Sequence, residues 1–337
     1  MSNAFLKNVK RPSIAKNMDR DFFNKTRILD GGMGQELLHR GLKPKGTLWS
    51  AYALIDEDCH QMVVDAHLDF INAGAEVIVT ATFTARRLRL MQNDSERYFE
   101  KINIKAVELA QKARDISKKN ILIAGGLPNQ KQTYRSDLGK DLGLIEKNFY
   151  DQARLLNNGI DFFYLDVMSS GLECEIALRA IESFDLPVLV GIHLNDNGTL
   201  PSKEKIQDIV NSHKNKNWLG VIMACVSPEA YETAAKDIQQ LEIPYGFKLN
   251  AFNKIPENYN VTSKDFYDFD PSTGSSLTKE GNAGNPANIL GINTDLNETK
   301  FYEYAKKFME NGAAILGGCC EIRPSHIREI AKLKLLK

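Results

Sequence analysis

The 337-residue sequence predicts an α/β chain folded as one (β/α)8 TIM barrel. Three observations carry that prediction. Eight short, nearly continuous apolar runs recur along the chain, as strands do when helices cover a parallel sheet. Segments with helical spacing of apolar residues follow most of them. No linker divides the units between two sheets, as a doubly wound alternative would require.

RILDGG (Arg27 to Gly32) is the first run, and Gln61 to Asn72 the helix read after it, with Met62, Val63, Ala66, Leu68 and Phe70 apolar. AEVIVTATF (Ala75 to Phe83) precedes a long helix around Glu96 to Lys118. NILIAGGL (Asn120 to Leu127) leads to a helix containing Tyr150 to Leu156, and DFFYLDVM (Asp161 to Met168) to one beginning near Leu172. PVLVGIHL (Pro187 to Leu194) precedes a helix from about Ser202. WLGVIMACV (Trp218 to Val226) precedes one opening at Pro228, where the missing N–H costs nothing. YGFKLNAF (Tyr245 to Phe252) is followed by a polar loop at about 253–297, then the helix Glu298 to Asn311. GAAILGGCC (Gly312 to Cys320) is the eighth run, and Pro324 opens the last helix. AGAE and NGAA, ahead of the second and eighth runs, read as one turn: helix end, glycine, strand.

Residues 1–26 read as an N-terminal arm, basic and without the apolar stretch or cleavage site of a signal peptide; 27–337 form the barrel. The loop at 253–297, rich in Asn, Ser, Asp and Gly, is either a lid or substrate wall or a surface excursion. Lys plus Arg and Asp plus Glu both number 43, so net charge argues for no nucleic-acid and no anionic-membrane partner. No run of 18 apolar residues offers a transmembrane helix. Without an export signal the expected location is cytoplasmic, and the five cysteines are expected to be reduced. The remaining partners are small molecules, with a homo-oligomer left open.

The active face of such a barrel is the C-terminal end of its strands. There the reading gathers Asp30, Thr82, Gly125, Gly126, Asp166, His193, Cys225, Asn250, Cys319 and Cys320. Thiolates are natural zinc ligands, and three ligands with an open position is the catalytic arrangement. Neighbouring strand residues point to opposite faces, so Cys319 and Cys320 share one ion only where the backbone leaves strand geometry. Gly317 and Gly318 are expected to ease that departure. The same cysteines could instead be small buried hydrophobes. Cys59 and Cys174 lie in helical stretches and read as structural. His193 is a candidate donor to a metal ligand, whereas His39, His60, His67, His213 and His326 read as surface or helix-face residues. LDGGMG lacks both GxGxxG and a P-loop lysine, and suggests close backbone approach, with amides holding a carboxylate. Asp166 either pairs with a substrate ammonium or simply ends its strand.

ILDGGMGQELLHRG, LWSAYAL, FINAGAEVIVTATF, ACVSPEAY and GAAILGGCCEIRPSHI together resemble the zinc-dependent homocysteine S-methyltransferase family, over about Arg27 to Ile330. The resemblance implies Zn2+ held by Cys225, Cys319 and Cys320. It implies substrate contacts from Asp30, Gly31, Gly32, Trp49, Thr82, Asp166 and Asn250, with the Gly31 and Gly32 backbone receiving an amino-acid carboxylate. Trp49 would wall the donor side, with Phe83 and Phe252 available to a methyl sulfonium or methylammonium cation. The implied activity is methyl transfer to the thiol of homocysteine, giving methionine. Transfer to a different small thiol, and a catalytically silent zinc barrel with a binding or assembly role, its fourth position filled by Glu321 or a nearby side chain, are the alternatives. Several positions depart from the family pattern. Asp166 and Val167 replace glutamate and threonine, Ala81 replaces the asparagine of TNTF, and Thr84 replaces a tyrosine of the betaine-using members. Ala224 stands for the asparagine before the first cysteine, KLN (Lys248 to Asn250) for YPN, and Glu321 for the glycine after the cysteine pair.

Overall fold

The computed structural model describes residues 18, 20–43, 45–212, 217–255, 267–270, 275–278 and 285–336. His213 and most of the N-terminal arm lie outside them. The barrel strands are β1 (Arg27–Ile28), β2 (Val77–Val79), β3 (Leu122–Pro128), β4 (Phe162–Met168), β5 (Val188–Ile192), β6 (Trp218–Val226), β7 (Tyr245–Leu249) and β10 (Ile315–Gly318). They form one eight-stranded sheet in the order β1-β10-β7-β6-β5-β4-β3-β2, with every pairing parallel. A parallel bridge between Leu29 and Val77 joins its two ends, as the sequence predicts for a closed barrel.

Alternation along the strands explains why the apolar runs are continuous. Leu122, Ala124, Phe162 and Tyr164 point into the barrel and pack with Leu29, Val77, Leu189, Leu219 and Ile315. Ile123, Phe163 and Leu165, one residue out of step, pack outward under the helices. The barrel floor is closed by Phe22 and Phe23 from the short 3-10 turn Arg20–Asn24. Phe23 is fully buried and meets Phe162 edge-on, with ring centroids 6.3 Å apart.

Helix starts and stops follow their chemistry. Ser170 and Ser227 cap helices Gly171–Ile181 and Pro228–Ile238 by accepting from the N–H groups of Glu173 and Ala230. The repeated glycine turn is present twice: Gly74 at φ 114° ends helix His60–Ala73, and Gly312 at φ 101° precedes β10. Other details differ from the sequence reading. Helix Met33–His39 and the short turns Trp49–Ala51 and Tyr52–Ile55 follow β1, and helix Arg87–Met91 follows β2. Strand β2 ends at Val79 because the Thr82 N–H folds back onto the Thr80 carbonyl at 2.7 Å. His67 and His326, 0% and 8% exposed, lie on the inner faces of helices His60–Ala73 and Pro324–Ala331, the helix-face alternative of the sequence reading. In the 253–297 segment, β8 (Tyr267–Asp270) and β9 (Ser275–Thr278) pair antiparallel, and helix Ala287–Leu290 returns to the barrel mouth.

Candidate metal centre

Cys225 comes from β6, and Cys319 and Cys320 follow directly on β10. Their three sulfurs lie within 4.8 Å of one another. The Sγ–Sγ distances are 3.8 Å for Cys225–Cys320 and 3.9 Å for Cys319–Cys320. Thiolates bound tetrahedrally to zinc at about 2.3 Å stand about 3.8 Å apart. The donor set fits the ion by type and by spacing.

Backbone irregularities, rather than regular strand ends, aim these thiols. The β6–β7 register shifts between Ala224 and Val226, and Cys225 at that bulge has φ 55°. Asn250 Nδ2 donates to the Cys225 carbonyl at 2.7 Å, while Asn250 Oδ1 accepts from the Phe252 N–H. Cys319 donates its N–H to the Leu249 carbonyl, and the Cys320 carbonyl accepts from Ala251. The chain then turns at Glu321, φ 62°, closed by Ile322 N–H to Cys319 O at 3.1 Å. Gly317 and Gly318 do not supply this turn: both lie within β10 and neither has positive φ. They are glycines for space, since a Cβ on Gly318 would stand 2.1 Å from the Ile322 side chain and one on Gly317 2.8 Å from Leu29 Cβ. The left-handed position falls to Glu321, where the family resemblance has glycine.

Positive φ also marks Trp49, Tyr134 and Val167, all on the wall of the same cavity as Cys225. Such strain in non-glycine residues, a β-branched valine above all, persists where surrounding packing holds it. The cavity opens at the C-terminal barrel end and measures about 1050 Å³ including its mouth. The three cysteines, Asp30, Gly31, Gly32, Trp49 and Asp166 line it. Thr82 does not. It is fully buried behind the wall with its hydroxyl on the Gly126 carbonyl at 2.6 Å, leaving Thr80 and Ala81 to face the cavity. Asn250 is also displaced from it, occupied with the Cys225 carbonyl. His193 is 3% exposed, with Nδ1 3.4 Å from the Ala224 carbonyl and its ring beside Tyr134. It touches the backbone around Cys225, and burial lowers its pKa to about 4.

The LDGGMG loop brings backbone to backbone. A Cβ on Gly31 would meet the Ile322 carbonyl oxygen at 2.1 Å, and one on Gly34 the Trp49 ring at 2.3 Å. The Gly32 N–H donates to the Ile322 carbonyl at 2.9 Å.

Two site residues escaped sequence reading. Lys248, inside β7 and 4% exposed, places Nζ 2.6 Å from Asp30 Oδ1, while Asp30 Oδ2 accepts from Val79 N–H at 2.7 Å. Burial works against the lysine's charge, but Asp30 and Asp166 outweigh it and hold Lys248 above its ordinary range. Asp166 is pushed up to about 7, by burial first and the Cys319 thiol second. The signal for Lys248 was a charge inside an apolar run. The other residue is Tyr134, whose hydroxyl is 3.1 Å from Cys225 Sγ. It lies in a loop without periodicity, so nothing in the pattern marked it. Arg86, 1% exposed, braces that loop through Asn129 Oδ1 and Thr133 Oγ1.

On the far side of the cavity Trp49 and Phe83 meet edge-to-face at 6.0 Å, with Phe252 also on the wall. Thr84 bonds the Leu48 carbonyl and the Ala51 N–H, pinning the turn that carries Trp49. Pro286 and Leu290 from the long loop's return complete the mouth. The Glu321 carboxylate is turned away from the sulfurs, accepting from Gln35 Nε2 and standing 3.0 Å from His39 Nε2.

The protein is thus a closed barrel that presents three thiols, spaced so that they could hold a metal ion, to a cavity at the C-terminal ends of its strands. The sequence model described as Homocysteine S-methyltransferase matches residues 27–333, and the chain belongs to that family. Homocysteine S-methyltransferase 1 of Saccharomyces cerevisiae is 27% identical over 91% of this chain and 93% of its own. The selenocysteine methyltransferase of Astragalus bisulcatus is 22% identical, covering 91% of each. The metallated crystal form of the Escherichia coli homocysteine methyltransferase MmuM superposes with a TM-score of 0.71. It has 19% identity and covers 92% of this chain and 96% of that one, a likeness of fold.

Proposed function

We propose that the protein is a zinc-dependent S-methyltransferase. It moves a methyl group from a small sulfonium or methylammonium donor to the thiol of homocysteine, giving methionine. The observation that carries this reading is the trio Cys225, Cys319 and Cys320, spaced for one tetrahedral ion and open to a cavity through the partly exposed Cys319. Family membership supports the acceptor, since relatives carry that activity in their names. Zinc at these thiols would favour the deprotonated, nucleophilic form of an acceptor thiol.

The protein's own residues then do the positioning. Asn250 fixes the bulge that aims Cys225, and the Tyr134 hydroxyl would donate to that sulfur as a thiolate, limiting its negative charge. Trp49, Phe83 and Phe252 form an aromatic wall suited to an onium cation, which they would hold with its methyl group toward the sulfurs. The acceptor sulfur's electron pair forms the new C–S bond as the donor's C–N or C–S bond breaks. That bond's pair stays with the donor, which leaves neutral. No proton transfer accompanies the alkyl transfer, so orientation is the main contribution. Reduced thiols at the centre suit a cytoplasmic location, and among the described residues no helix is long and apolar enough to cross a membrane. A silent barrel with Glu321 as fourth ligand is disfavoured by the turn of that carboxylate toward Gln35 and His39.

The test is metal content. Cys225→Ala, Cys319→Ala and Cys320→Ala should each lower bound zinc at least about tenfold after dialysis against a weak chelator, with the barrel's circular dichroism unchanged. Full zinc retention in all three would remove the site.

A further inference from the structure

The acceptor end of the cavity carries its own cation. Lys248 and Asp30 are 6% and 1% exposed at their side chains and form a contact of 2.6 Å. Asp30 has its second oxygen on the Val79 N–H. Asp166, the remaining carboxylate on this wall, acts on Lys248 from the same cavity. A substrate ammonium brought to either carboxylate would therefore arrive beside a fixed positive charge. Of the Gly31 and Gly32 amides expected to receive a substrate carboxylate, that of Gly32 donates to the Ile322 carbonyl. An ammonium Nζ has three donors, and the bond to Asp30 uses one. Lys248 lines the cavity together with Cys319 and can offer another donor to an incoming anion.

We propose that Lys248 is the acceptor-recognition residue, and that the protein takes small thiols through an anionic group, the substrate α-ammonium being dispensable. The substrate class is thiol carboxylates with a short aliphatic spacer. Homocysteine belongs to it by its carboxylate and its amino group adds nothing. This deepens the thiol methyl-transfer reading and rests on it.

The two can be separated by measuring binding without a donor. In protein loaded with cobalt(II), the three cysteine thiolates themselves give a sulfur-to-cobalt charge-transfer band, an acceptor thiolate that reaches the metal adds intensity to it, and that increment is titrated with three thiols. These are homocysteine, 4-mercaptobutyrate (no amine) and 3-mercaptopropylamine (no carboxylate). The expected order has 4-mercaptobutyrate within about threefold of homocysteine or tighter, and 3-mercaptopropylamine weaker by about tenfold or more, the worth of one charged hydrogen bond. Lys248→Gln should weaken 4-mercaptobutyrate by about ten- to hundredfold while leaving uncharged propanethiol within about threefold. Asp30→Asn/Lys248→Gln, which removes the buried pair together, should show the same loss and guards against misfolding of the single variant. A clear preference for 3-mercaptopropylamine over 4-mercaptobutyrate, or unchanged 4-mercaptobutyrate binding in both Lys248 variants, would overturn the proposal. Absence of any increment in the band with every thiol, propanethiol included, would instead sink the thiol-activation reading beneath it.

Discussion

Asp30 and Lys248 show how much a single buried pair governs. Both charges are nearly removed from solvent, so each is tolerable only with its partner present. Lys248→Met should cost about 3–5 kcal/mol of stability by leaving Asp30 uncompensated, measured by urea unfolding. The double change Asp30→Asn/Lys248→Met should recover most of that loss, since no lone charge then remains. Equal losses in the single and double variants would show that packing, not charge, decides this position. The sequence made the three cysteines legible because their residue type has few uses in a reduced protein. Lys248 was hidden for the opposite reason. One lysine in an apolar run reads as an irregularity of the strand, and only closure of the barrel brings Asp30 across to it. Tyr134 reaches Cys225 Sγ from a loop whose course no periodicity encodes.

Strands and turns were easier to read, because apolar continuity and glycine punctuation are local properties. The strand order follows from the count of βα units, whereas the bulges at Cys225 and after Leu165 depend on sheet register and have no sequence signature. The glycine pair ahead of Cys319 illustrates the limit. Its identity is visible, but whether glycine serves torsion or space depends on what lies opposite, here Leu29 and Ile322. Two other glycines separate those causes experimentally. Gly41, φ 96°, has nothing within 4 Å of a built Cβ, so Gly41→Ala should cost only the torsional strain, about 1 kcal/mol. Gly74, φ 114°, would set its Cβ 2.6 Å from Ala331 Cβ, and Gly74→Ala should cost more, about 2–3 kcal/mol. Denaturant midpoints of the two variants check the order, and a Gly41→Ala loss as large as that of Gly74→Ala would contradict it.

At the scale of the whole molecule, buried titratable groups set how stability depends on pH. Burial lowers His67 to about 3 and His193 to about 4, both from 6.5, so folded protein keeps them neutral where unfolded chains bind protons. Their contribution is fully present above pH 6.5 and is lost as pH falls from there toward 4 and 3. Burial raises Glu173 from 4.5 to about 8, against opposition from the Ser169 N–H and Arg86. Its contribution is present below pH 4.5 and disappears as pH rises through 8. Burial also raises Asp166 from 3.8 to about 7, with the same sign as Glu173, so between pH 4.5 and 6.5 the two histidines and the two carboxyls oppose each other. Thermal midpoints should therefore change little across that window and decline between about 6.5 and 8. His67→Gln, which removes a ring whose two nitrogens have no hydrogen-bond partner among the described residues, should turn the flat window into a decline. An unchanged window would mean that other groups dominate it.

The aromatic floor has a kinetic consequence. Phe22 and Phe23 close the lower end of the barrel, and the cavity lies at the opposite, C-terminal end. With the acceptor's anionic end on Lys248, as proposed, the donor would take the Trp49 and Phe252 side of the same cavity. A donor bound first would then stand in the acceptor's way. Turnover should in that case be a queue: acceptor in first and donor second, then spent donor out before methylated product. Product inhibition patterns at steady state carry the signature of that order.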